Sequence, residues 1–143
     1  MAVRYICAML TPLLIKTIEE VIAMSREVAE LCTSFGIEHK QAMHTRLCLE
    51  ELGVNAIEHN VKVRHKVHLR VRFIIGEKWL ILRLRDDGRP YDLTQAYHLI
   101  NPEDPSSHIG LRLVYASAEK VQYSSFLSLN NVCIRLAVLK EAE

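Results

Sequence analysis

The chain has 143 residues, of which 50% are hydrophobic and 24% charged, so we expect one globular domain over residues 1–143. Its formal net charge of +1 excludes the strong overall field that draws a protein onto nucleic acid or an anionic membrane, and neither partner is expected. Four cysteines without a C-x-x-C pair, and no apolar run of about 18 residues, predict reduced thiols in a soluble cytoplasmic protein.

Helical signals dominate the first part of the chain. The stretch "TPLLIKTIEEVIAMSREVAELCTSFG" has Thr11 as a candidate N-cap and Pro12 at the first helical position, and it closes on Gly36. Its apolar residues recur at steps of three and four, which indicates one packed face. A second helix is predicted from about Glu38 to His59. The opening "VRYICAML" is a candidate edge strand.

Strand signals follow the second helix. "VHLRVRFII" alternates apolar and basic residues, "GEK" turns the chain, and "WLILRLR" reads as the next strand. Residues 91–107 show no period, so a long loop is predicted there, followed by a short helix from Gly110. "KVQYSS" and "VCIRLAVL" are predicted strands separated by a turn at Asn130 and Asn131. This order predicts an α+β fold with helices on one face of a mixed, largely antiparallel sheet.

Polar chemistry lies along one side of the second predicted helix. At 100° per residue, Glu51, Asn55, Glu58 and His59 share one arc, and apolar residues fill the opposite one. Most such faces are simply solvated. However, Gly53 in mid-helix costs about 1 kcal/mol relative to alanine and indicates a packing or functional reason.

Two further stretches suggest a ligand site. In "RLRDDGRPYDL", Asp86 ends a strand and could accept a hydrogen bond from an exocyclic amine, while Gly88 would allow close approach; a plain turn is the alternative. In "SSHIGLRL", Gly110 comes just before a helix whose first amides are free to bind phosphate. Each signal alone is weak.

Together and in this order, the three stretches resemble the N box and the two glycine boxes of the GHKL ATPases, the superfamily of histidine kinase-like ATP-binding domains. Within it they look most like the anti-sigma-factor serine/threonine kinases. The resemblance implies the Bergerat fold, a two-layer α/β sandwich. The matching residues are Glu51, Asn55, Ala56 and His59; Asp86, Gly88, Pro90, Tyr91 and Asp92; and Gly110, Leu111 and Leu113.

The resemblance also implies a role for each residue, with ATP and Mg²⁺ as cofactors. Glu51 would be the catalytic base, Asn55 would hold Mg²⁺, and Asp86 would bind the adenine amine. His59 suits a structural place as well as a catalytic one. The nucleotide-binding residues on this pattern are Asn55, His59, Asp86, Gly88, Pro90, Gly110 and Leu111, with the amides of the last two cradling phosphates.

One departure from the family pattern concerns the second glycine box. Ser106, Ser107, His108 and Ile109 replace the usual glycine-rich run, so a stiffer lid is expected over the nucleotide.

Two functions therefore remain open. The first is a Mg-ATP-dependent serine/threonine kinase that phosphorylates an antagonist (anti-anti-sigma) protein, binds a sigma factor and regulates transcription by partner switching. The second is a non-catalytic nucleotide- or protein-binding regulatory module, as part of a larger signalling protein. Intact Glu51, Asn55 and Asp86 favour the kinase, and the resemblance also implies a homodimer formed through the sheet.

A basic run, "KVRHKVHLRVR", lies outside these motifs. It suits an acidic partner or a phosphate, although a solvated strand face that protects a sheet edge is the commoner explanation. His65 and His68 within it are poor candidates for a metal pair, because no carboxylate or cysteine is near them in sequence.

Overall fold

The structure is a computed structural model that describes residues 15–61, 67–104 and 108–138, without the side chains of residues 60 and 61. None of the helices in these ranges combines the length and hydropathy needed to cross a bilayer. In chain order, the elements of the described ranges are α1 (Ile18–Ser34), α2 (His39–Val61), β1 (Leu69–Ile75), β2 (Trp79–Asp86), α3 (Leu93–His98), α4 (Ile109–Ser117), β3 (Lys120–Phe126) and β4 (Leu129–Ala137).

The four strands form one antiparallel sheet in the order β1-β2-β4-β3. Side chains alternate across it, because the apolar residues of β1 and β2 are buried while the residues between them mostly face outward. Helices α1, α2 and α4 contribute Val28, Leu49 and Val114 to the same core as Phe73 and Leu82 of the sheet. The predicted α+β fold, with helices on one face, is confirmed.

The first helix begins later than the sequence predicted. Thr17 is its N-cap, and the Thr17 side chain accepts a hydrogen bond of 3.2 Å from the backbone N–H of Glu20. Ile15 pairs with Leu69 through two backbone hydrogen bonds of 3.1 and 3.0 Å, which holds the chain extended before the helix. The helix start predicted at Thr11 is therefore wrong; Thr11, Pro12 and "VRYICAML" themselves lie outside the described residues.

The predicted end of the first helix and the position of the second helix are confirmed. Gly36 follows α1 with a φ of +76°, a conformation that favours glycine past a helix end. Helix α2 begins one residue after the predicted start and runs two residues beyond the predicted end.

Two predictions in the second half are wrong. The loop predicted over residues 91–107 contains α3, a helix too short to show a period, which is capped by the Asp92 carboxylate through the Thr94 N–H at 2.9 Å. The hairpin between β3 and β4 turns at Leu127 and Ser128, which have positive φ values of 50° and 62°. Asn130 instead lies within β4.

Gly53 has a packing reason for its place in α2. A Cβ at this position would come within 2.7 Å of Val21 Cγ1, so Val21 and the part of α1 that carries it would have to shift, while Leu69 Cδ2 at 3.5 Å would be in ordinary contact. We expect Gly53→Ala to lower the free energy of unfolding by about 1–2 kcal/mol in urea denaturation, because overpacking outweighs the better helix propensity of alanine. In a Val21→Ala background, which lacks the overlapping methyl groups, Gly53→Ala should lower the free energy of unfolding by less than it does in the wild type. If Gly53→Ala alone proved more stable than the wild type, helix propensity would outweigh the overlap.

Candidate functional site

One pocket lies where the polar side of α2 meets the end of β2, the start of β4 and the beginning of α4. Four of the predicted nucleotide-binding residues line it: Asn55, His59, Asp86 and Leu111. Gly88 and Gly110 adjoin it through contacts with residues of the site, and Pro90 lies exposed in the segment that follows Gly88. Sequence positions some 60 residues apart therefore converge on one place.

Asp86 is the buried carboxylate of this pocket, with 8% of its surface exposed. Its Oδ1 accepts hydrogen bonds from the Gly88 N–H at 2.9 Å and from Asn130 Nδ2 at 3.0 Å. Burial raises the pKa of Asp86, and these two hydrogen bonds oppose the rise without cancelling it. No donor in the described ranges reaches Oδ2, so this oxygen can accept a hydrogen bond from a ligand.

Asn130 was missed by the sequence analysis, which placed it in a turn. The residue is 5% exposed, and its Nδ2 lies 3.0 Å from Asp86 Oδ1, 3.1 Å from the Gly88 carbonyl and 3.0 Å from the Arg89 carbonyl. Tyr123 donates its hydroxyl to Asn130 Oδ1 at 2.6 Å. Asn130 therefore fixes both the carboxylate and the loop that follows it. Its signal was a polar residue at a position that pairs with Asp86 across the sheet.

Glu51 and Asn55 interact directly on the polar side of α2. Asn55 Nδ2 donates to Glu51 Oε1 at 2.8 Å, and no donor within the described residues occupies Asn55 Oδ1. An amide oxygen of this kind is a suitable ligand for a hard cation such as Mg²⁺. The Glu51 carboxylate also lies against Gly110, where a Cβ would overlap it. The N box and the start of α4 are thus in contact.

Gly110→Ala is expected to displace the Glu51 carboxylate while leaving the fold intact. The three atoms nearest the new Cβ all belong to the end of the flexible Glu51 side chain, and alanine is the better helix former, although the gain is small at the second residue of α4. We expect an unchanged or slightly higher melting temperature, together with loss of any activity that depends on Glu51. The measurement pairs thermal unfolding with an activity assay. Full activity in this variant would show that the contact between Glu51 and Gly110 is dispensable.

The mouth of the pocket is formed partly by aromatic side chains. His59 stacks on Tyr91 with ring centroids 4.5 Å apart, so the structure gives His59 a packing role. Glu58, predicted on the same arc, is exposed and does not line the pocket. The cavity has a volume of about 40 Å³.

The segment before α4 is described only from His108. His108 has a left-handed backbone with φ 51° and gives no side-chain hydrogen bond to the helix start. Ser106 and Ser107 lie outside the described residues, so the stiffer lid stays a prediction.

Comparison with known proteins decides the family. A family model described as the histidine kinase-like ATPase domain matches residues 15–137. The chain belongs to this family. Among solved structures it is similar to the histidine kinase AdeS of Acinetobacter baumannii, with 16% sequence identity over 96% of this chain and 69% of that chain and a TM-score of 0.46. No curated protein matches the chain.

Membership of the histidine kinase-like ATPase family confirms the resemblance at the level of the superfamily, while the closer likeness to anti-sigma-factor kinases stays a prediction. The family description implies a nucleotide ligand, and the residues present fit ATP. Asp86 Oδ2 is free to accept from an exocyclic amine, and Asn55 Oδ1 is free to ligate a cation.

Proposed function

We propose that this histidine kinase-like ATPase domain binds Mg-ATP in the pocket around Asp86 and transfers a phosphoryl group to a serine or threonine of a partner protein. The observation that carries the proposal is the convergence of Glu51, Asn55 and Gly110 in one contact beside the pocket that Asp86 lines. Phosphoryl transfer needs a held triphosphate, a bridging metal and a group that orients the attacking hydroxyl. The site offers a candidate residue for each of these three requirements.

Adenine recognition is assigned to Asp86 and Gly88. With Oδ1 held by Gly88 and Asn130, the carboxylate has one oxygen left for the amine of the base. This arrangement favours adenine, which carries an exocyclic amine, over guanine, which carries a carbonyl oxygen at the same place. We expect Tyr91 to move away from the cavity when the base binds.

Catalysis is assigned to Glu51 and Asn55. Bound Mg-ATP would supply a phosphoryl group whose negative charge the metal partly neutralises. Asn55 would hold the metal through Oδ1, and Glu51 would accept the proton of the attacking hydroxyl. The first amides of α4, from Gly110 and Leu111, would hold phosphate oxygens. Because phosphate and Glu51 are both anionic, the Glu51 contact with Gly110 should widen when nucleotide binds.

The regulatory partners rest on the likeness of the three motifs to anti-sigma-factor kinases. On this proposal the chain works in the cytoplasm, as a homodimer, binds a sigma factor and releases it when an anti-anti-sigma protein competes. This anti-anti-sigma protein would be the substrate of phosphorylation, and its phosphorylation would end the competition so that the chain binds the sigma factor again.

A non-catalytic module with the same fold is the second candidate. The Ser-Ser-His-Ile sequence in place of a glycine-rich run favours it. Such a domain would bind nucleotide or protein without transferring phosphate.

Incubation with γ-labelled ATP and Mg²⁺ separates these candidates. The assay contains the purified chain and a heat-treated soluble extract of its source cells, which supplies substrates without active kinases. We expect label on serine or threonine of a small protein, and none when Glu51→Gln replaces the wild type. Label that remains on the chain as acid-labile phosphohistidine, or no transfer despite measured nucleotide binding, would refute the proposed kinase activity.

A further inference from the structure

Four arginines face outward on the side of the sheet opposite the helices. They form two directly opposed pairs across β1 and β2, with Arg70 facing Arg85 and Arg72 facing Arg83. All four are exposed. We name these four residues the arginine face. Only its β1 half belongs to the basic run seen in the sequence, because the other half comes from the neighbouring strand.

No carboxylate in the described ranges neutralises the arginine face. The nearby acidic groups pair elsewhere, since Asp87 binds His68 at 2.8 Å and Glu119 lies 3.7 Å from Arg135. Arg85 donates from Nε to the Asn131 side chain at 2.8 Å, a neutral acceptor. Like charges placed directly opposite each other on a sheet destabilise it, so folding stability does not explain this arrangement.

The surroundings of the arginine face favour carboxylate ligands. It borders an open groove of about 690 Å³, whose other polar residues include the uncharged Gln122, Ser124 and Asn131. Among the described residues, none that lines the groove is aromatic, whereas sheets that bind single-stranded nucleic acid use aromatic platforms for base stacking. The exposed Trp79 lies at the far end of β2, where Arg135 stacks on its ring. Guanidinium groups match carboxylates through paired N–H donors.

We propose that the arginine face binds an acidic segment of a partner protein, whose carboxylates pair with the guanidinium groups of β1 and β2. A second copy of the chain is a poor occupant of this face, because a two-fold dimer would place the same cationic patch against itself; the proposed homodimer would therefore pair through another part of the sheet. The site lies on the sheet face away from the helices and is independent of the nucleotide pocket. It gives the domain a docking surface for a protein rich in aspartate or glutamate.

The test measures binding of a fluorescent peptide of about ten glutamates by anisotropy at low and physiological salt. The patch variant, Arg72→Gln with Arg83→Gln, should bind at least about tenfold more weakly, since each charge-assisted contact contributes strongly. The matched control, Lys16→Gln with Arg26→Gln, removes two exposed positive charges at and before α1 and should bind like the wild type. Equal weakening by both variants, or equal binding of a glutamine peptide, would overturn the proposal.

Two further readouts sharpen the test. Thermal unfolding of the patch variant should occur about 2 °C higher than in the wild type, because one opposed cationic pair is removed; a lower melting temperature would reveal a structural role instead. Oligouridine RNA and phosphatidylserine vesicles are tested in parallel. Preferential binding of either over the glutamate peptide, or a wild-type dimer that dissociates in the patch variant, would contradict an acidic protein segment as the occupant.

Discussion

Asp86→Asn is expected to weaken adenine nucleotide binding by about 10- to 100-fold, the range for a lost hydrogen bond to a charged group. The Gly88 N–H and the Asn130 amide both donate to Oδ1, so the new side chain must keep its oxygen on that side. Its NH₂ then points to the position of the adenine amine, and two donors face each other. Isothermal titration with ATP and ADP measures the loss.

Asp87→Asn is the matched control for this prediction. It makes the same chemical change one residue further on, where the carboxylate binds His68 and does not line the pocket. We expect its nucleotide affinity to match the wild type. Unchanged affinity in Asp86→Asn, or an equal loss in both variants, would refute the assignment of Asp86 to the adenine amine.

The stability of Asp86→Asn provides a check that the variant is folded. Burial raises the pKa of Asp86 in the folded protein, so the wild-type carboxyl contributes stability below its unfolded pKa of about 3.9. That contribution is lost as the pH rises through the folded pKa. Without nucleotide, the melting temperature of the variant relative to the wild type should therefore be more favourable at pH 7 than near pH 4.

Glu51→Gln is expected to reduce phosphoryl transfer by about 10²- to 10⁴-fold, the range for removal of a general base. Glutamine keeps an oxygen that can accept from Asn55 Nδ2, as Glu51 does at 2.8 Å, so Asn55 should stay in place. Nucleotide affinity should change by less than about threefold, because the base does not hold the adenine. Single-turnover transfer of labelled phosphate, combined with a binding isotherm, separates the two effects.

Glu58→Gln is the control for the catalytic variant. Glu58 belongs to the same helix and the same sequence arc, but it is exposed and lies outside the pocket. Transfer at the wild-type rate is expected in this control. If Glu51→Gln also transfers phosphate at the original rate, Glu51 is not the base and another acceptor must remove the proton.

Local patterns predicted much of the fold. The apolar and basic alternation of "LRVRF" is enough to predict β1, because a period of two places one set of side chains in the core. The start of α1 was also readable, since Thr17 and Glu20 fit the Thr-x-x-Glu sequence pattern of a helix start. The Glu20 N–H donates to Thr17 Oγ1 at 3.2 Å, and the Thr17 hydroxyl donates to the Glu20 carboxylate at 3.0 Å. Thr11 and Pro12 present a competing helix-start signal. What excludes it is the pairing of Ile15 with Leu69, a contact between distant segments that no local pattern shows.

The candidate site was predicted in its residues but not in its contacts. The three motifs identified Glu51, Asn55, Asp86 and Gly110, yet nothing local indicates that Gly110 touches the Glu51 carboxylate. Asn130 was missed because asparagine pairs favour turns, and its role becomes visible only when β4 is aligned with β2. Likewise, the arginine face depends on the register of two strands, so the basic run alone showed half of it.

The shift in melting temperature with ATP, ADP and GTP, each with and without Mg²⁺, tests adenine nucleotide binding at the Asp86 pocket most directly. A ligand that binds only the folded state adds RT ln(1 + [L]/Kd) to stability, or about 2.7 kcal/mol at a hundredfold excess over Kd. We predict a shift with ATP and ADP that Mg²⁺ increases, little shift with GTP, and a clearly smaller shift with adenine nucleotides in Asp86→Asn than in the wild type. Equal shifts with ATP and GTP, or no shift at millimolar nucleotide, would contradict an adenine-binding pocket at Asp86.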